Sequence, residues 1–259
     1  MSQELHDQLV NQQLSPDEQN RIFQAIHDRI LDDSAWITDA NFDVFHPRDL
    51  EHMFDLYDQI LLNGACRAAL QGRPLTFHLS KRMTRAGGQT AWKTITDRRR
   101  GIVREEFAIS VSVPLLFQTF RNEERTIKVT GLECHNRLQA MQRIMEHEII
   151  HLAERLVWKQ SSCRARRFQS IATRLFGHQA HTHDLVTTAE IARQEKGIQR
   201  GSRVVFLHEG HRRIGIVNRL TRRATVLVPD TSGRLYSDGC RYSKFYVPLN
   251  MLQNAEASE

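Results

Sequence analysis

Apolar positions along this chain change their spacing twice, and the changes divide it. From Asn136 to Trp158 no Gly or Pro interrupts, and Leu138, Met141, Met145, Ile149, Leu152 and Leu156 recur three or four residues apart, the spacing of one buried helix face. Upstream, Ser15-Pro16-Asp17-Glu18 reads as an N-cap followed by Pro in the first turn, and predicts a helix to about Leu31. A second helix is predicted from Pro47 to about Leu70, with Leu50, Met53, Phe54, Tyr57, Ile60 and Leu61 facing inward and Gly72-Arg73-Pro74 ending it. Residues 75–80 and 107–113 alternate apolar with polar side chains as strands do. Gly87-Gly88 marks a turn between them, and residues 126–130 make a third strand closed by Gly131. After the long helix, residues 166–177 predict another that buries Phe168, Ile171, Ala172 and Leu175, and 187–195 a shorter one.

From Arg203 the pattern becomes short apolar runs, at 204–207, 214–217, 224–228 and 245–247, separated by turn signals such as Glu209-Gly210 and Ser232-Gly233. Four or five strands in so short a stretch predict a small all-β module of the SH3-like barrel kind. The fold class expected is therefore α+β. Its parts are a helical extension over 1–40, a main domain over 41–195, the β module over 196–252 and a disordered tail over 253–259.

Composition narrows the setting. The chain has 259 residues, 40% of them hydrophobic, enough for a sizeable core. No basic segment leads into an apolar run at the N-terminus, and eighteen apolar residues never occur together; a soluble, cytoplasmic protein with no membrane partner is expected. Cys66, Cys134, Cys163 and Cys240 are scattered and form no CxxC, as in a reducing compartment. The net charge of +6 conceals an asymmetry: residues 155–259 carry 18 Lys and Arg against 8 Asp and Glu. Arg164, Arg166 and Arg167, then Arg212 and Arg213, then Arg219, Arg222 and Arg223 form clusters, and Arg98-Arg99-Arg100 is a separate run. Such a distribution favours a polyanion, with DNA the expected partner. The second cluster and third cluster, with Tyr236, Tyr242 and Tyr246, are the candidate nucleic-acid contacts.

Within the long helix lies His147-Glu148-Ile149-Ile150-His151, an HExxH motif. Residues four apart share a helix face, so both imidazoles can reach one metal, and Glu148 stands beside the open coordination position as the candidate general base acting on a zinc-bound water. A third ligand is required beyond His151, and Cys163, His178, His181 and His183 are the candidates.

Three stretches in this order, Leu79 to Gly88, His147 to Leu152 and Thr182-His183, resemble the SprT-like zinc metallopeptidase family, to which Spartan belongs. The resemblance spans roughly residues 45–190. It implies a zincin-like domain, Zn2+ as cofactor, a protein substrate and, as in Spartan, DNA-dependent cleavage of proteins crosslinked to DNA. In that family the third ligand usually comes from a His-Gly pair just after the active helix. The matching stretch here is Ser161-Ser162-Cys163-Arg164-Ala165-Arg166-Arg167-Phe168, without histidine. Either the Cys163 thiolate takes the position, helped by Arg164, Arg166 and the following helix N-terminus, or the site has lost its third ligand. Cys163 is the expected ligand and His183 the reserve. A thiolate donates more charge than imidazole and makes zinc a weaker Lewis acid. The alternative to a peptidase is a non-catalytic, zinc-stabilised DNA- or protein-binding factor.

Overall fold

The computed structural model describes residues 2–97, 101–120 and 126–255. The Arg98-Arg99-Arg100 run and the last four residues of the expected tail lie outside them. The chain is mixed α and β, and its contacts separate two compact units, one ending at Leu185 and the other starting at Val186.

In the first unit α1 (Ser2–Asn11), α2 (Pro16–Asp33), α3 (Pro47–Leu62) and α4 (Ala65–Leu70) precede β1 (Leu75–Ser80), β2 (Gly88–Asp97) and β3 (Ile102–Ser112). Then come α5 (Val113–Thr119), the hairpin of β4 (Ile127–Val129) and β5 (Leu132–Cys134), α6 (Arg137–Trp158) and α7 (Arg166–Phe176). Local chemistry explains the helix ends. Ser15 accepts from the Glu18 amide while the Glu18 carboxylate accepts from the Ser15 amide at 2.8 Å, a reciprocal cap on α2. Asn136 caps α6 in the same sense, its side chain accepting from the Gln139 amide at 2.8 Å.

The helix expected to run to Leu70 is broken. Asn63 and Gly64 both adopt left-handed backbone, and the Asp58 carboxylate accepts from the amides of Cys66 and Arg67 at 2.8 and 2.9 Å. The carboxylate satisfies the free amides at the start of a new helix, so the chain turns at 63–64 instead of continuing. Ile60, expected inside, is 45% exposed.

The sheet order is β1-β3-β2, with β1 parallel and β2 antiparallel to β3. Strand β2 occupies what the sequence presents as a turn and linker. Around the apolar stripe of α6, one core gathers Leu5 and Leu9 of α1, Ile26 and Ile30 of α2, Met53 and Phe54 of α3, Ile109 and Val111 of β3, and Phe168 and Ile171 of α7. Helix α6 is therefore buried along most of its length, and Ile144, His147 and Glu148 border a cavity.

The second unit begins with α8 (Thr188–Lys196) and continues with β6 (Arg203–His208), β7 (His211–Leu220), β8 (Arg223–Leu235) and β9 (Arg241–Pro248), then a 3-10 turn at Leu249–Met251 and β10 (Gln253–Asn254). These strands form one antiparallel sheet ordered β10-β6-β7-β8-β9. Among the described residues β9 and β10 remain unpaired edges, so the expected barrel is not closed. Gln253 and Asn254, expected in the tail, pair with Val205 and Val204. One sheet face packs Val204, Phe206, Val217, Val226 and Val247 against Ala192 and Ile198.

Candidate metal centre

Helix α6 presents His147 and His151 one turn apart, with their Nε2 atoms 3.1 Å apart. Two nitrogens at the usual zinc distance of about 2.0–2.1 Å on a tetrahedron are ~3.3 Å from each other, so this spacing suits one shared ion. Cys163, in the turn between α6 and α7, completes the group: its sulfur and the two histidine donors all lie within 4.8 Å of one another. The residues present fit a divalent metal favouring nitrogen and sulfur donors.

The imidazoles are kept neutral, as ligands must be. Burial, with the neighbouring histidines adding repulsion, pushes His147 down to about 3. Burial also lowers His151, against a smaller opposing pull from Glu154. The Phe168 ring of α7 packs on both, with centroids 4.8 and 4.5 Å away.

His151 is further oriented by a chain of hydrogen bonds. Its Nδ1 lies 2.7 Å from Ser161 Oγ, which donates to Glu154 Oε2 at 2.6 Å, and Arg167 Nε donates to Glu154 Oε1 at 2.7 Å. A serine hydroxyl has one proton and gives it to the carboxylate. It therefore accepts from His151 Nδ1–H, which leaves the Nε2 lone pair directed at the metal position.

Glu148 faces the same cavity, about 390 Å³ in volume and bordered also by Arg85, Gly87, Gly88, Thr130, Cys163, His181 and His183. Burial, only partly offset by hydrogen bonding to Thr90, pushes its carboxyl up to about 7. The Thr90 hydroxyl sits 2.8 Å from Oε2 and 2.9 Å from the Glu148 carbonyl oxygen. Gly88 is needed for steric reasons: a Cβ there would stand 2.7 Å from both Cγ and Oε1 of Glu148.

Of the other third-ligand candidates, His178 and His183 are engaged elsewhere. His178 is buried with Nε2 2.8 Å from Glu146 Oε2. Residues 182–184 run beside β4 and bring His183 to the cavity, but its Nδ1 accepts from the Leu185 amide at 3.2 Å and its Nε2 donates to the Arg85 carbonyl at 3.0 Å. His181 borders the cavity without joining the donor group. A larger cavity of about 790 Å³, between the start of α2, α7 and the 177–181 loop, contains neither the three donors nor Glu148.

Sequence reasoning did not find Ser161, Glu154, Thr90 or Gly88 as parts of the site. Glu154 left one signal, a carboxylate three residues beyond His151 on the same helix face. Thr90 left none, because its strand was not expected. No family model, curated protein or solved structure matches this chain significantly, so what the site can do follows from its own geometry. Arg212, Arg213, Arg219, Arg222 and Arg223 belong to the second unit, where all five are exposed. Of the tyrosines named with them, Tyr242 is buried against Tyr236, and Tyr246 is 64% exposed.

Proposed function

We propose that this protein is a zinc-dependent endopeptidase of the SprT-like, zincin-like kind that acts on DNA-associated proteins, and that its second unit is an SH3-like module that holds it to nucleic acid. The observation carrying the reading is the convergence of His147, His151 and Cys163 within 4.8 Å beside a buried Glu148. Zinc in such a set supplies a Lewis acid and lowers the pKa of a coordinated water.

The chain's own residues account for the rest. Glu148, held near neutrality by burial, accepts a proton at Oε and returns it to the leaving amine, the behaviour of a general base matched to the working pH. Thr90 holds the carboxylate in place, and Gly88 keeps room for it. With His183 engaged by Leu185 and Arg85, His147, His151 and Cys163 would hold a zinc ion with three protein donors, the number typical of catalytic rather than closed structural sites. This favours the enzyme over a zinc-stabilised binding factor. DNA as the setting rests on the charge of the second unit and on the family resemblance.

The test is cleavage of a DNA-bound protein by zinc-loaded wild type and Glu148→Gln, with and without DNA. Cleavage stimulated by DNA and lost in the variant, at equal zinc content, is expected. Retained cleavage in the variant would overturn the role of Glu148.

A further inference from the structure

The sheet of the second unit has one covered face and one open face, and the open one has a definite composition. Residues paired across neighbouring strands project to the same side. The register therefore lays out a row of Arg203, Ile216, Leu227 and Lys244 across four strands, about 14 Å wide at the usual strand spacing. Beside it runs a second row of Arg219, Thr225 and Tyr246, and Arg223 follows on β8. On the other flank Ile214 pairs with Val205 and Arg212 with Leu207. Five cations thus share this face. Arg213, which pairs with the core residue Phe206, belongs to the opposite side, and Arg222 lies in the turn between β7 and β8.

Among the described residues no carboxylate pairs with Arg203, Arg212, Arg219, Arg223 or Lys244. From 203 to 248 the chain has nine Lys and Arg against three Asp and Glu. Between the cations Ile214 at 39%, Ile216 at 42% and Tyr246 at 64% are exposed, whereas Val205 and Leu227 of the same face are buried.

We propose that this open face binds single-stranded nucleic acid, with Arg203, Arg219 and Lys244 along the phosphates and a base stacked on Tyr246. The proposal deepens the nucleic-acid part of the function proposed above, on which it rests, and needs nothing from the metal centre. Charge alone would suit duplex and single strand equally. The exposed tyrosine and isoleucines decide between them, because a duplex keeps its base faces stacked inside whereas a single strand offers them to a flat aromatic and apolar surface. An acidic protein partner matches the charge but gives Tyr246 no stacking role.

The experiment is fluorescence anisotropy of full-length protein with a labelled oligothymidylate and with a duplex of equal length, over a range of salt. Wild type, Tyr246→Ala, Tyr246→Phe and Arg203→Glu/Lys244→Glu are compared. The expected result is preference for the single strand, a loss of about five- to a hundred-fold in Tyr246→Ala with the salt slope unchanged, and recovery in Tyr246→Phe. The double charge reversal should weaken binding and flatten its salt dependence. Thermal unfolding checks that each variant is folded, which the exposure of these side chains favours. Tight duplex binding unaffected by any of these variants would overturn the platform and leave the DNA reading standing. Absence of binding to either nucleic acid would overturn both, while zinc content and cleavage stay as separate readouts of the metal centre.

Discussion

The charged groups around α6 and those on the open sheet face are organised in opposite ways. Near the candidate metal centre the carboxylates of Glu146 and Glu154 are enclosed by partners. Glu146, 1% exposed, accepts from Tyr57 Oη at 2.7 Å, pairs with Arg143 at 3.0 Å and meets His178 at 2.8 Å. Burial pushes its carboxyl upward, but Arg143, His178 and Tyr57 together bring it below the ordinary value. Glu154 is closed in the same manner by Ser161 and Arg167. On the sheet face the arginines are exposed, and among the described residues no carboxylate pairs with them. Fixed, paired carboxylates suit a site that must hold atoms in place, and cations without a carboxylate suit a surface whose partner comes from outside.

Substitutions test this contrast, and the largest effect should come from the first set. Glu146→Gln leaves Arg143 buried without its anion, and urea unfolding should show a loss of about 3–5 kcal/mol; a loss below 1 kcal/mol would mean that the cluster is not closed as described. Ser161→Ala removes the acceptor for His151 Nδ1–H. It should weaken zinc binding about 10- to 100-fold in chelator competition, and it should also cost the metal-free protein about 1–3 kcal/mol, because the same hydroxyl donates to the buried Glu154 carboxylate. Unchanged affinity would separate Ser161 from the metal. Ser15→Ala deletes the reciprocal cap on α2 and should cost about 1 kcal/mol in the same unfolding assay. Arg212→Glu should change stability by less than about 0.5 kcal/mol, since its side chain is exposed and makes no ion pair among the described residues; a large loss would place that arginine in the structure rather than on a recognition face.

What the sequence made legible follows the same division. The stripe from Leu138 to Leu156 is entirely buried, because a long uninterrupted helix wrapped by neighbours must keep one apolar face. The two histidines and Glu148 were legible through their spacing on that helix, and Cys163 through its place after it. Strand β2 was not. Its residues Gln89 to Asp97 are largely polar, and they pair with β3 through backbone groups that composition does not encode. The break at 63–64 depends on Asp58 reaching forward to two amides, a contact visible only once the chain has turned. The open sheet is the same kind of case: alternation in 203–247 predicts strands, whereas closure into a barrel depends on whether the edges β9 and β10 meet. The helices of the described residues include none long and apolar enough to cross a membrane, in keeping with the absence of any long apolar run.

The central claim is that His147, His151 and Cys163 hold one metal ion, and cobalt substitution tests it most directly. Metal-free protein titrated with Co2+ should bind one equivalent and show a thiolate-to-cobalt charge-transfer band, lost in Cys163→Ala and retained in Cys66→Ala. A band indifferent to Cys163, or no stoichiometric binding by the wild-type chain, would contradict the account.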